Sequence, residues 1–277
     1  MLAVPAAPLF NSIVGQGAIS VGPAFVLVLI GLVVIGALAA LIARLGVSRA
    51  IGTASLRAAL QLGAVSLLIT AVLRSWWATA AFIAVMLGVA AATSARRITT
   101  LRLGWPAVAP IAAGALPVGA GIVAAGTVPL ATVAVLPIAG ILIGGAMTAT
   151  SLAGRRALDE LRLRHGEYEA ALALGFLPRD AVLEVCRPTV GQALMPALDQ
   201  TRTVGLVTLP GAFVGVLLGG GSALQAGATQ VLVLVALLAV EAIAAGVTLE
   251  LVAGGVLRRP NPADLGIVVG TKRVKSR

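Results

Sequence analysis

The chain has 277 residues, of which 59% are hydrophobic and only 11% charged, and its mean hydropathy is +1.06. Charged residues make up about a quarter of an ordinary soluble domain, so this composition excludes a water-soluble fold and leaves a multi-span membrane protein. The formal net charge of +10 would suggest a nucleic-acid partner in a soluble chain. Here the basic residues fall between apolar stretches, so they set topology and no nucleic acid is expected.

The opening run MLAVPAAPLFNSIVGQGAIS carries no basic residue, which argues against a cleaved signal peptide and leaves insertion to the first span. Crossing a bilayer as a helix takes about 20 apolar residues. Stretches of that kind lie at 24–43, 54–73, 76–95, 105–125, 129–152, 202–219 and 229–251. The fourth and fifth are separated by little more than Gly126 to Val128. The predicted fold is therefore all-α and polytopic, with about seven transmembrane helices. All but Arg74 of the 20 lysines and arginines lie in or beside the first, third and fifth connections or in the tail from Arg258. Basic residues collect on the cytoplasmic side, which puts the N-terminus outside and the C-terminus in the cytoplasm of a cell-membrane protein.

The fifth connection, 153–201, holds most of the charged groups. Leu158, Leu161, His165, Tyr168 and Leu172 recur at helical steps and form one mostly apolar stripe. Glu160 with Arg164, and Asp159 with Arg162, are spaced to pair on the solvated side. Glu169-Ala170-Ala171-Leu172-Ala173-Leu174-Gly175 reads as a short helix with a stop, since alanine and leucine favour helix and Gly175 suits a left-handed position past the helix end. Pro178 can open the next helix, and Pro188 and Pro196 interrupt the chain as it climbs back. The tail after Arg259, with Asn261-Pro262 as a breaker, is short and basic and is expected against anionic headgroups of membrane lipid.

Within the spans, Gly140-x-x-x-Gly144 and Gly211-x-x-x-Gly215-x-x-x-Gly219 put glycines on one helix face, which suits close helix packing. Pro210 stands at the head of the second run and can bend or unwind it, as broken helices do along transport paths. Glu241 sits about 12 residues into the last stretch, roughly 18 Å from its outer end at 1.5 Å per residue. An acid at that depth costs on the order of 2.5–3.5 kcal/mol, so it faces protein or a wet path. Gln61, Thr208 and Gln230 offer interhelical hydrogen bonds or path contacts. Met147 is either a gap filler or a soft metal contact.

Catalytic machinery is missing. An ATP-cradling loop needs G-x-x-x-x-G-K-[ST], but the only lysines are Lys272 and Lys275 in the tail, neither after a glycine. With one histidine and one cysteine, the chain can build neither a disulfide nor a soft-metal cage of its own. His165 reads as a member of the packing stripe and Cys186 as a small core residue. No catalytic residue and no cofactor is expected, and no metal ligand can be named.

Glu169-Ala170-Ala171, Gly175 and Val185-Cys186-Arg187-Pro188 resemble the EAA loop of ABC-transporter permeases, the segment that docks on an ATPase subunit; Arg187-Pro188 stands where that loop ends in Leu-Pro. A wider resemblance is to the Fet-type iron-export ABC permeases. It rests on Ser55-Leu56-Arg57-Ala58-Ala59-Leu60-Gln61-Leu62 and on Leu136-Pro137-Ile138-Ala139-Gly140 with Gly144 to Met147. Ala173-Leu174-Gly175 and Thr203-Val204-Gly205-Leu206-Val207-Thr208-Leu209-Pro210-Gly211 complete it. The matches run in order from about residue 50 to 250. The resemblance implies one permease domain over 1–277 with a cytoplasmic coupling segment at 153–201. It implies a homodimer served by a separate ATPase, exporting iron or another metal; plant relatives of the family are linked to aluminium tolerance. Glu169, Ala170, Ala171, Leu174 and Gly175 are then the ATPase-coupling residues, and Gln61, Met147, Thr208, Pro210, Gly211 and Glu241 the path candidates. Two other readings stay open: an ATP-independent secondary transporter or channel using Glu241 for ion coupling, and a membrane scaffold binding a cytoplasmic partner through Glu169–Gly175.

Overall fold

Inside a bilayer no water is present to satisfy backbone N–H and C=O groups, so apolar runs of this length close their hydrogen bonds internally as helices. The computed structural model describes residues 22–260; the expectations for the opening run and for the tail lie outside the described residues. The chain divides into two units, 1–72 and 73–277.

The first unit holds α1 (Pro23–Ile42) and α2 (Ser48–Leu73). Arg44 and Gly46 take left-handed backbone angles in the turn between them. Near that turn the two helices approach closely, with a Cβ on Gly36 falling 3.7 Å from Ile51 Cγ2. Ala40 is the one buried residue of α1 among its described positions, and α2 has none.

The second unit holds α3 (Trp76–Ile98), α4 (Leu101–Ala124) and α5 (Thr132–Leu163). It continues with α6 (His165–Ala173), α7 (Pro178–Gly191), α8 (Met195–Thr203), α9 (Gly211–Leu218) and α10 (Ala223–Ala253). Its core is the packing of α5 on α10, flanked by α3 and α4. Leu142, Ala146 and Ala149 of α5 meet Val240 and Ala244 of α10, Ile111 and Ala115 of α4, and Ala90 and Ala91 of α3. Small side chains let these backbones come together. A Cβ on Gly114 would sit 2.6 Å from the Val240 carbonyl oxygen, and one on Gly154 would sit 2.7 Å from Ile98 Cδ1. At the basic end a second cluster joins Ala153, Ala157 and Leu158 of α5 to Val182, Leu183 and Cys186 of α7 and to Leu249 and Val252 of α10.

Six helices, α1 to α5 and α10, are long and apolar enough to cross a membrane among the described residues. The protein is an all-α, multi-pass membrane protein. Six of the predicted spans are continuous helices; the stretch 202–219 is different. There α8 ends at Thr203, residues 204–210 leave the helix, and α9 begins at Gly211 with Pro210 as its N-cap. Gly205 takes φ +82° and its N–H bonds the Thr208 carbonyl at 2.9 Å, closing a turn. Pro210 lacks the donor that would carry a helix through. The proline therefore starts a helix here, where the sequence placed it inside one. Pro196 behaves likewise: a 3₁₀ turn over Gln192–Leu194 separates α7 from α8, and Pro196 sits in the first turn of α8. Pro188 is accommodated within α7.

Candidate functional site

The polar interval folds as a hairpin of helices. As the helical steps from Leu158 predict, α5 extends beyond the apolar stretch that ends at 152; it runs to Leu163 and breaks at Arg164. The Arg164 side chain caps this corner, pairing with Glu167 and, at 3.4 Å, with Glu160. Its hydrogen bonds to Glu167 hold that carboxyl below the usual carboxylate range. The expected Asp159–Arg162 pair is replaced by Asp159 with Arg259, 2.5 Å apart. An i,i+3 pair on a wet surface is worth little, and the chain beyond α10 brings a second arginine within reach of Asp159.

Of the predicted stripe, Leu158 is buried, and Leu161 and Tyr168 pack against the cluster at the basic end. His165 stands largely exposed, with Nδ1 3.4 Å from Glu169 Oε1 and its ring 5.9 Å from that of Tyr168. Cys186 is fully buried and donates to the Ala157 carbonyl at 3.5 Å. Burial, with a smaller contribution from Glu160, pushes its thiol up to about 11, so it is a packing residue and a poor nucleophile.

α6 carries Glu169, Ala170 and Ala171, and the helix closes at Leu174 as its C-cap. Gly175 takes φ +91°, a conformation that only glycine adopts without strain. The Gly175 N–H bonds the Leu172 carbonyl at 3.0 Å and the Phe176 N–H bonds the Ala171 carbonyl at 3.1 Å, the paired pattern of a glycine-terminated helix. Leu177 and Pro178 then open α7 as N-cap and first residue. The loop between the helices exposes Leu174 at 80%, Phe176 at 45% and Leu177 at 68%. These apolar groups lie outside the membrane-length apolar runs, and the core of the chain does not cover them. Phe176 and Leu177 were missed as candidates; their signal is an apolar step, Gly175-Phe176-Leu177-Pro178, within a polar interval.

The path candidates fall in three places. Met147 on α5 packs against the α3–α5–α10 core, and its carbonyl accepts a 3.2 Å bond from Ser94 Oγ. Ser94 Oγ is also 3.0 Å from Ser151 Oγ, a buried hydroxyl pair between α3 and α5. Glu241 on α10 is 8% exposed. Its Oε1 would be 3.1 Å from a Cβ on Gly145 of α5, and among the described residues it has neither an ion-pair nor a hydrogen-bond partner. Thr208, Pro210 and Gly211 form the break before α9, with Thr208 and Gly211 exposed. Beyond that break, Ala212, Gly215 and Val216 of α9 line a cleft with Pro137 and Ile141 of α5 and Val233 of α10. Gln61 is exposed on α2 in the first unit. No group of three or more histidine, cysteine or acidic side chains gathers as a metal site among the described residues.

The model of the uncharacterised protein family UPF0014 matches residues 24–256. Protein ALUMINUM SENSITIVE 3 of Arabidopsis thaliana is 39% identical over 89 residues, 32% of this chain and 33% of that protein. The UPF0014 membrane protein STAR2 of Oryza sativa subsp. japonica is 39% identical over the same length, 32% of this chain and 31% of that protein. The probable iron export permease protein FetB of Escherichia coli (strain K12) is 33% identical over 92 residues, 32% of this chain and 34% of that protein. The chain thus aligns with about a third of the length of these relatives. No solved structure matches it.

Proposed function

This chain belongs to the uncharacterised protein family UPF0014, and from that premise we propose that it is the membrane permease subunit of an ABC transporter. It exports iron or another metal ion as a Fet-type permease, pairs as a homodimer and is driven by a separate ATPase subunit. It is a transporter and no enzyme: hydrolysis belongs to the partner. The observation that carries this reading is the α6 tip. A short helix, stopped by left-handed Gly175, offers Leu174, Phe176 and Leu177 to water at the end of a long helical extension of α5. Exposed apolar side chains clustered in this way mark an interaction site. Glu169, Ala170, Ala171, Leu174 and Gly175 form the piece that enters the ATPase.

The names of two relatives support a metal cargo, one through iron export and one through aluminium sensitivity. Both iron(III) and aluminium are hard cations that favour oxygen ligands, and the Thr208 hydroxyl and backbone carbonyls of 204–210 are oxygen donors at the break before α9. In the path reading these line the route, together with Met147, Pro210 and Gly211. Inverted membrane vesicles holding the chain and its ATPase test the function: ATP addition accumulates iron inside the vesicles. Accumulation that is equal without ATP overturns the ABC reading in favour of an ATP-independent transporter, and none at all with an assembled complex overturns the cargo.

A further inference from the structure

Glu241 is the one ionisable residue within 76–95, 104–124, 132–154, 211–218 and 223–249, the apolar parts of the second unit. It lies well inside α10, which runs over Ala223–Ala253, and it is 8% exposed. A side chain placed there for packing alone would be expected to be apolar, or uncharged like the equally buried Gln230 of the same helix. The carboxyl has a seat of its own. A Cβ on Gly145 would fall 3.1 Å from Glu241 Oε1, 3.6 Å from its Cγ and 2.5 Å from Leu237 Cδ2. A Cβ at position 145 would collide with Leu237 and crowd the carboxyl, and a branched side chain there would fill the space the carboxyl occupies.

Among the described residues, nothing packed around α10 supplies a compensating charge. α5 is uncharged until Arg155, and the only charged residue of α4 is Arg102, at its start. α9 has no charged residue. In α7, Arg179 pairs with Asp180 and with Glu250, while Glu184 and Arg187 complete the set. In α8, Asp199 pairs with Arg202 at 3.6 Å. None of these groups reaches ion-pair distance of Glu241. A lone acid inside a membrane span is expensive to keep charged and marks an ion or proton site.

We propose that Glu241, seated over Gly145, is a proton-binding site between α5 and α10 within the membrane span. The proton comes from water and returns to water on release, so no other reactant is needed. The inference depends on neither the cargo nor the ATPase.

The test uses the full chain in phosphatidylcholine liposomes and a fluorescent hydrophobic carbodiimide, which adds to undissociated carboxylic acids. Label is expected on the peptide that contains Glu241, declining as pH is raised from 5 to 9. It is expected to be absent in Glu241→Gln and reduced severalfold in Gly145→Leu. Infrared spectra give a second reading that needs no substitution at the seat: a carbonyl-stretch band of an undissociated carboxyl, present in the unmodified chain and missing from Glu241→Gln. Absence of both label and band at every pH would overturn the proposal, because the carboxylate would then be held ionised by a partner. Label that does not vary with pH would overturn it as well.

Discussion

Arg179 of α7 grips Glu250 of α10, with Nη2 2.6 Å and Nε 3.2 Å from the same carboxylate oxygen. This contact joins the first turn of the helix after the α6 tip to the basic end of the last span. On the other side of the hairpin, Arg259 beyond α10 holds Asp159 of α5 at 2.5 Å. Both arms of the hairpin are thus strapped to α10 and the chain that follows it.

Both members of the Arg179–Glu250 pair are about half exposed, at 54% and 48%, so the pair adds little stability, ~0.2–1 kcal/mol. Arg179→Glu and Glu250→Arg are each expected to change unfolding by less than about 1 kcal/mol and to lower transport per ATP hydrolysed. The double exchange, Arg179→Glu with Glu250→Arg, is expected to restore it. Transport and hydrolysis measured together check this. Unchanged coupling in the single variants would leave the pair a surface contact.

Gly175→Val forces a β-branched residue into φ +91°, a strain on the order of 1–3 kcal/mol. The chain is expected to insert and dimerise as before while hydrolysis loses its link to transport. Ala171→Arg adds a long charged side chain to the same tip and should act alike. Transport that matches the unmodified chain in both variants counts against the tip as the coupling piece.

The helices and the tip were legible because both are written in local sequence. Apolar length fixed six spans, and the Ala-Leu run ending in Gly175 fixed α6 and its stop. What was not legible depends on distant residues. Gly114, Gly145 and Gly154 look like any other glycine until Val240, Glu241 and Ile98 come against them. The Arg179–Glu250 pair spans 71 residues and leaves no local trace. The broken stretch at 202–219 misled because its hydropathy is that of a span. The choice of Gly205 for the turn and of Pro210 for a helix start decides its conformation.

Sidedness is checked by cysteine labelling in a Cys186→Ala background. Leu163, 80% exposed at the end of α5, and Leu224, 83% exposed at the start of α10, are the reporter positions. With the broken stretch 202–219 as the crossing between them, a membrane-impermeant maleimide on intact cells is expected to label Leu224→Cys and to spare Leu163→Cys until the membrane is opened. The reverse order would invert the topology.

Cys186 gives a pH signature. Its thiol is pushed up to about 11 in the folded protein, chiefly by burial, against about 8.5 in an unfolded chain. The folded state therefore keeps a proton that the unfolded state gives up, and this contribution to stability is complete below about pH 8.5 and is lost as pH rises toward 11. Cys186→Ala removes that slope. Thermal unfolding between pH 8 and 11 compares the two, and equal slopes would mean the thiol is open to solvent.

Thr208 and Gly215 separate a path from a packing surface. A Cβ on Gly215 meets nothing within 4 Å in the single chain and the position lines a cleft with room for a side chain, so loss of the dimer in Gly215→Leu reads contacts made by another copy. Thr208→Val is expected to lower iron efflux at unchanged dimer content. A silent Thr208→Val together with loss of the dimer in Gly215→Leu would assign this segment to packing.

The most direct measurement is co-purification. The tagged full chain, extracted in mild detergent from its own membranes, is predicted to carry a stoichiometric ABC ATPase, and Ala171→Arg is predicted to release it while remaining dimeric. Purification of the unmodified chain without an ATPase, or equal retention by Ala171→Arg, would contradict the account.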